Sequence, residues 1–230
     1  MLSDIRANRL RAFVNDVGKH GNPTGIILDV KDKISKSDRQ QIATELHFTG
    51  TVFINNLDPV NVSFFNPKQE TKFAGDALIS TSYFLRNVLN SEVESIQCKG
   101  GVVETWVEGE LTWIESSLNG TQSWNHLQMP TSAAVVAITP KEAAEFEHTM
   151  VWAWENEEKG IIKSRTFLLD WGTLEDQGNG SGSMQLASMV GRNLEIHQGN
   201  GSVIYSRPSG LSMAQVGGKV AVDLAEPLNI

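Results

Sequence analysis

The stretch Glu175-Asp176-Gln177-Gly178-Asn179-Gly180-Ser181-Gly182-Ser183 decides how the rest of the chain is interpreted. Two carboxylates precede a glycine-rich turn, and apolar residues at helical spacing follow over residues 184–190. The first N–H groups of a helix have no partner inside the helix and carry its positive end, so this order predicts a corner that holds an anion beside an acid. The alternative is a plain connection between a strand and a helix, with Ser181 or Ser183 as the N-cap.

A second copy of this arrangement lies in the first half of the chain. Residues 62–67 have the pattern of a strand and its exit, Glu70 follows, and residues 73–79 begin another helix. In the later copy the strand is expected over residues 164–169. The two copies are too far apart for a solenoid repeat. The simplest interpretation is two similar domains that face each other.

Short strands separated by turn residues dominate both halves. The helix expected over residues 77–89 is apolar on more than one side, which predicts burial inside a barrel or a wrapped sheet. The polar segment 119–130 is the expected boundary. The predicted domains are therefore residues 1–120 and 121–230, and the last strand is a candidate to return to the first domain. This pattern indicates an α+β fold.

Two local predictions concern the start of the second half. Residues 133–138 are expected to form a strand. The following segment has Thr139 as a candidate N-cap, Pro140 at the first helical position and Glu142 at the third. That order predicts a helix that begins with a capping box.

Composition excludes several classes of function. The 230 residues have a net charge of −8 and no basic cluster, which argues against nucleic acid or an anionic membrane surface as a partner. No apolar run approaches the ~20 residues needed to span a bilayer, and the N-terminus lacks the apolar core of a signal peptide. A cytoplasmic location is therefore expected.

Cysteine and histidine usage argues against a metal site. Cys98 is the only cysteine, so no intrachain disulfide can form, and its strand-like surroundings favour a buried structural position over a nucleophile. The five histidines are scattered without the spacing of a metal-binding motif. We expect no metal.

Several short motifs, taken in their order along the chain, can be compared with known protein families. They are Phe13-Val14, His20-Gly21-Asn22-Pro23-Thr24-Gly25-Ile26-Ile27-Leu28, Phe65-Asn66-Pro67, Glu70, Phe73-Ala74-Gly75, Glu175-Asp176, Gly180-Ser181, Gln198-Gly199 and Arg207-Pro208-Ser209. Together they resemble the phenazine-biosynthesis PhzF-like proteins, which share a fold with diaminopimelate epimerase and proline racemase. The resemblance spans nearly the whole chain. It implies two pseudo-symmetric halves, each an antiparallel barrel-like sheet around a central helix, with the active site in the cleft between them.

The resemblance also implies an activity. An acid and a base would move a proton on a small organic acid or biosynthetic intermediate, as in an isomerase, epimerase or cyclase, with neither metal nor organic cofactor. Helix starts and glycine N–H groups would hold the substrate carboxylate and the enolate-like charge. The corresponding substrate-binding positions are Asn22, Gly50, Gly75, Gly180, Ser181 and Gly182. A homodimer is the oligomeric state that the family suggests.

Three motifs depart from the family pattern. Where the family has Ser-Glu, with the glutamate as general acid and base, this chain has Thr49-Gly50. The family's Phe-Ala-Gly-His-Pro is here Phe73-Ala74-Gly75-Asp76-Ala77. Its Asp-Pro-x-Thr-Gly-Ser is here Asp176-Gln177-Gly178-Asn179-Gly180-Ser181, so only the aspartate and the Gly-Ser pair are retained.

These departures leave two hypotheses open. In the first, Asp76 and Asp176 face each other across the cleft and act as the catalytic pair, because two close carboxylates split their pKa values into one acid and one base. In the second, the chain is a catalytically silent binding or regulatory protein that has lost the glutamate, and Asp76 only caps its helix. Trp171 is expected to form part of the cleft wall in either case.

Overall fold

The computed structural model describes residues 5–223. Over that range the strands are β1 (Asn8–Val14), β2 (Asn22–Leu28), β3 (Gly50–Leu57), β4 (Val60–Phe65), β5 (Glu70–Thr71), β6 (Ser95–Cys98), β7 (Gly101–Glu108), β8 (Leu111–Ser117), β9 (Asn125–Gln128), β10 (Thr149–Asn156), β11 (Ile161–Leu168), β12 (Thr173–Asp176), β13 (Leu194–Gln198), β14 (Ser202–Gly210) and β15 (Met213–Val222). The α-helices are α1 (Lys36–Leu46), α2 (Gly75–Asn87), α3 (Ser132–Val136), α4 (Pro140–Ala143) and α5 (Gly180–Val190).

Eight strands close into a barrel around α2. The pairing runs β1-β2-β3-β4-β6-β7-β8-β15, and β15 pairs back with β1. Most neighbours are antiparallel, while β2–β3 and β4–β6 are parallel. Ten residues of α2 are buried, and the helix packs against β1, β8 and β15. The α+β fold with a barrel-like sheet around a central helix is confirmed for this half.

The second half of the chain extends the same sheet. Its sheet continues from β15 through β14, β13, β11 and β10 to β9, and α5 packs against β14 and β15. Strand β15 pairs with β8 and β1 on one side and with β14 on the other. Because one sheet runs through both halves, the division at residues 120 and 121 stays a prediction.

The strand predicted over residues 133–138 is wrong. The segment forms α3, in which the Thr131 side chain accepts a hydrogen bond from the N–H of Ala134 at 3.2 Å. Short apolar runs do not distinguish a buried strand from a buried helix, and alanine favours the helix. The capping box of the next helix is confirmed: Thr139 N–H donates to Glu142 Oε2 at 2.8 Å, and Glu142 N–H donates back to Thr139 Oγ1 at 3.3 Å.

Membrane-spanning helices do not occur between residues 5 and 223, where none of the helices has both the length and the apolar character to cross a bilayer.

Candidate active site

Helices α2 and α5 begin against each other at Gly75 and Gly180. A Cβ atom placed on Gly75 would lie 3.0 Å from Gly180 Cα, and one on Gly180 would lie 3.0 Å from Gly75 Cα. A side chain at either position would therefore press on the opposite backbone, and glycine allows the close approach. Since the first N–H groups of a helix have no partner inside it, both helices direct free donors to the same point. The two helix starts thus meet at one cleft.

The helix caps differ from the predicted ones. Helix α5 is capped by Asn179, whose side chain accepts from Gly182 N–H at 3.0 Å, so neither Ser181 nor Ser183 is the N-cap. Ser181 Oγ instead accepts from Trp124 Nε1 at 2.8 Å. An amide oxygen caps as well as a hydroxyl does.

Asp76 is the second residue of α2 and does not cap it. The N-cap of α2 is Ala74, which makes no side-chain hydrogen bond. Asp76 is therefore not the N-cap, although its carboxylate accepts hydrogen bonds from the N–H groups of Asp76 and Ala77 at the helix start.

Asp76 and Asp176 are joined by the amide of Asn22. Asn22 Nδ2 donates to Asp76 Oδ2 at 2.8 Å and to Asp176 Oδ1 at 2.9 Å. The two accepting oxygens can therefore be no further apart than the sum of these distances. Asp76 is 7% exposed and Asp176 is 8% exposed, so the carboxyls form a close, buried pair drawn from opposite halves of the chain.

Burial raises the pKa of both carboxyls. Burial, followed by the negative charge of Asp176, raises the pKa of Asp76 from 3.8 to about 7. Burial also raises the pKa of Asp176 to about 6, although hydrogen bonds from Gly178 N–H and the Asn22 side chain favour its ionised form. Near neutral pH the pair can thus supply a proton acceptor and a proton donor at once.

Glu175 does not belong to this pair. Arg165 donates to its two carboxylate oxygens, at 2.9 Å from Nε and 2.7 Å from Nη2. Consecutive side chains on a strand point to opposite faces, so of these two acids only Asp176 faces the cleft. The adjacent acids of the sequence therefore have different roles.

The cleft next to the pair is small in this conformation. Its cavity has a volume of about 30 Å³, well below the ~150 Å³ of a protein cavity that binds benzene. Asn22, Gly75, Gly180 and Ser181 line it, as Trp171 does. Thr49, Gln122 and Trp124 also line it, and none of the three was predicted as a binding residue. Lys, Arg and His are absent from the described residues that line this cavity.

Gly50 and Gly182 are the other two predicted binding positions. A Cβ atom on Gly50 would lie 3.7 Å from Asp76 Oδ2 and 3.4 Å from Ala77 Cβ. A side chain at position 50 would therefore point towards the carboxylate that α2 provides. The N–H of Gly182 is occupied by Asn179, and Gly182 does not line the cavity.

Two other kinds of chemistry concern the thiol of Cys98 and metal binding. Cys98 is the last residue of β6 and is partly buried, and burial raises the pKa of its thiol. Groups of three or more His, Cys, Asp and Glu side chains that could hold a metal do not occur within residues 5–223.

Comparison with known proteins gives one family and one fold. The PhzC-PhzF family, described as phenazine biosynthesis-like protein, matches residues 10–149. PhzF family proteins from Enterococcus faecalis and Bacillus anthracis have similar structures, with TM-scores of 0.80 and 0.74 at 16% and 18% identity. The alignments cover 99% and 98% of this chain, and 100% and 99% of those chains.

A more distant structure has the same fold. It is a hydroxyproline epimerase from Agrobacterium vitis with bound trans-4-hydroxy-L-proline. Its TM-score is 0.65 at 11% identity, over 97% of this chain and 92% of that one. At such identities the likeness shows the fold alone.

Proposed function

Because this chain belongs to the PhzC-PhzF family of phenazine biosynthesis-like proteins, we propose that it is an isomerase or epimerase that moves a proton on a small organic acid. The observation that carries the proposal is the buried pair of carboxyls, Asp76 and Asp176, held by one amide where two helices begin. No cofactor is needed for this step, since the pair itself supplies the acid and the base.

The two carboxyls together take up and return one proton, so the reaction needs no other proton donor or acceptor. The ionised carboxylate takes a proton from the carbon next to the substrate carboxylate, and the electron pair of that C–H bond moves into an enolate. The protonated carboxyl then returns a proton to the other face of the carbon, or to a conjugated carbon. The pair ends with one proton, as it began, but the other carboxyl carries it.

The helix starts would stabilise the charge that develops in this step. The N–H groups of Gly75, Gly180 and Ser181 have no partner within their helices. Donors fixed at the site of a growing negative charge are a large source of catalysis. Without Lys, Arg or His around the described cavity, the site suits a single carboxylate better than a phosphate.

Asn22 acts in this proposal as a positioning residue. Its two N–H donors are used by Asp76 and Asp176, so it holds the carboxyls at a fixed separation. Its Oδ1 atom is buried and has no hydrogen-bond partner among residues 5–223. A donor on the substrate would satisfy that oxygen, since buried polar atoms are normally paired.

Asp76 would replace the carboxylate that the resemblance places at position 50. A side chain at position 50 on β3 would approach the Asp76 carboxylate on α2, because a Cβ atom there would lie 3.7 Å from Asp76 Oδ2. The replacement explains how a chain with Gly50 can keep two carboxyls in the cleft.

The test is solvent deuterium exchange on small carboxylic acids. A panel of hydroxy, amino and unsaturated acids is first screened for binding by thermal shift, and each hit is followed by proton NMR in D₂O. We expect the signal of a C–H group next to, or conjugated with, the carboxylate to disappear only with enzyme present. An acid that binds without any C–H exchange would instead support the catalytically silent alternative.

A further inference from the structure

The loop between β11 and β12, residues 169–172, forms the outer wall of the cleft. This 169–172 loop makes one 3₁₀ turn, Leu169–Trp171, and ends at Gly172 with φ of 91°. It places the partly exposed Trp171 against the cleft. The Trp171 ring meets the His148 ring edge-on at 4.9 Å and lies 6.0 Å from Trp124, measured between ring centroids.

Trp124 is the fixed part of this wall. Its Nε1 donates to Ser181 Oγ at 2.8 Å, and its backbone N–H donates to Gln185 Oε1 at 3.2 Å. Both partners belong to α5, whose start is locked against α2 by the paired glycines. Two hydrogen bonds therefore tie Trp124 to the helix that forms the site.

The 169–172 loop is held from the opposite half of the chain. Lys68, between β4 and β5, donates from Nζ to the carbonyl oxygens of Leu169 at 3.4 Å and Asp170 at 2.8 Å. Its carbon chain also lies over Gly172, where a Cβ atom would come within 3.4 Å of Lys68 Cε. On the second half, His148 Nε2 lies 2.8 Å from Asp170 Oδ2.

Some part of the wall must move for an organic acid to enter. A cavity of about 30 Å³ is far smaller than the ~150 Å³ of a protein cavity that binds benzene. The helix starts are held by a buried contact and Trp124 by partly buried hydrogen bonds, whereas Lys68 and Asp170 are exposed. Exposed polar contacts in a loop are among the easiest in a protein to open.

We propose that Trp171 is the gate that controls access to the cleft, and that Lys68 is the residue that holds it closed. The inference rests on the proposed function only in taking this cleft as the substrate site. The closure itself follows from contacts between the two halves and requires no ligand.

The test uses amide hydrogen exchange in the free protein, followed by NMR at Gly75, Gly180 and Ser181. Lys68→Met keeps the carbon chain and removes the ammonium group, so exchange at these amides should be about tenfold faster. Lys163→Met is the matched control, because Lys163 Nζ also donates to a backbone carbonyl, that of Gly199 at 2.8 Å. It should leave the three amides unchanged.

A second variant separates gating from general loosening. Trp171→Ala should also speed exchange at the three amides, and adding Lys68→Met should then have no further effect, since both changes open the same contact. Unchanged exchange in both single variants would overturn the proposal, as would an undiminished effect of Lys68→Met in the Trp171→Ala background. Amide exchange in the free protein needs neither ligand nor turnover. The gate can therefore be supported even if no acid shows C–H exchange, and C–H exchange can be found even if the gate is overturned.

Discussion

Replacing Asp176 with asparagine is expected to slow proton exchange on the substrate by about 10²- to 10⁴-fold, the usual contribution of a general acid or base. Asparagine has the shape of aspartate and can still accept a hydrogen bond from Asn22, so the fold should survive. It cannot accept the substrate proton. Asp76→Asn should cause a loss of the same size, because members of a catalytic pair act as a unit.

Glu175→Gln is the matched control for this prediction. Glu175 is the neighbour of Asp176 on β12 but is paired with Arg165. Its replacement should leave the exchange rate of the bound acid within a few-fold of the wild-type rate. Full exchange activity in Asp176→Asn, or an equal loss in Glu175→Gln, would remove Asp176 from the mechanism.

Asp76→Asn is also expected to stabilise the protein at pH 8. The folded pKa of Asp76 is about 7, above its ordinary value of 3.8. As the pH rises through this interval the unfolded carboxyl ionises first, so stability falls until about pH 7 and then levels off. At about 1.4 kcal/mol per pKa unit the total cost is on the order of 4 kcal/mol.

The asparagine variant avoids most of this cost. Loss of a negative charge at a helix start opposes the gain by only about 0.3–1 kcal/mol, so a net increase on the order of 3 kcal/mol is expected at pH 8. Urea unfolding at pH 4 and pH 8 measures it, and the gain should nearly vanish at pH 4. A variant less stable than the wild type at pH 8 would contradict the prediction.

Asp29→Asn is a control with the opposite sign. Burial raises the pKa of Asp29, but hydrogen bonds from Arg39 and from the N–H groups of Lys33 and Ile34 outweigh it, and the pKa lies below 3.8. Such a group contributes stability above its unfolded pKa and loses it as the pH falls through the folded pKa. Asp29→Asn should therefore be less stable than the wild type at pH 8, and this deficit should shrink in acid.

The parts of the site that sequence reasoning predicted are those that depend on local chemistry. The glycine-rich turn before α5 and the Ala-Gly-Asp start of α2 can be recognised as helix starts from a few neighbouring residues. Their meeting at Gly75 and Gly180 followed from the expectation of two facing halves. The cap at Asn179 was missed because serine, asparagine and glycine were all present as alternatives.

Long-range contacts explain what could not be predicted. The role of Asn22 as a bridge depends on three segments that approach only in the folded chain. Trp124 joins the wall through Ser181, and Lys68 reaches the 169–172 loop across the cleft. Strand periodicity could have separated Glu175 from Asp176, but only if the buried face of β12 had been known.

The central claim, that Asp76 and Asp176 are one coupled acid and base pair, is tested most directly by following the ¹³Cγ signals of both aspartates against pH. We predict that both signals titrate well above pH 3.8, that each responds to ionisation of the other, and that Asp176→Asn lowers the pKa of Asp76 by removing the negative charge beside it. Two independent single titrations near pH 3.8, with Asp76 unaffected by Asp176→Asn, would contradict the claim.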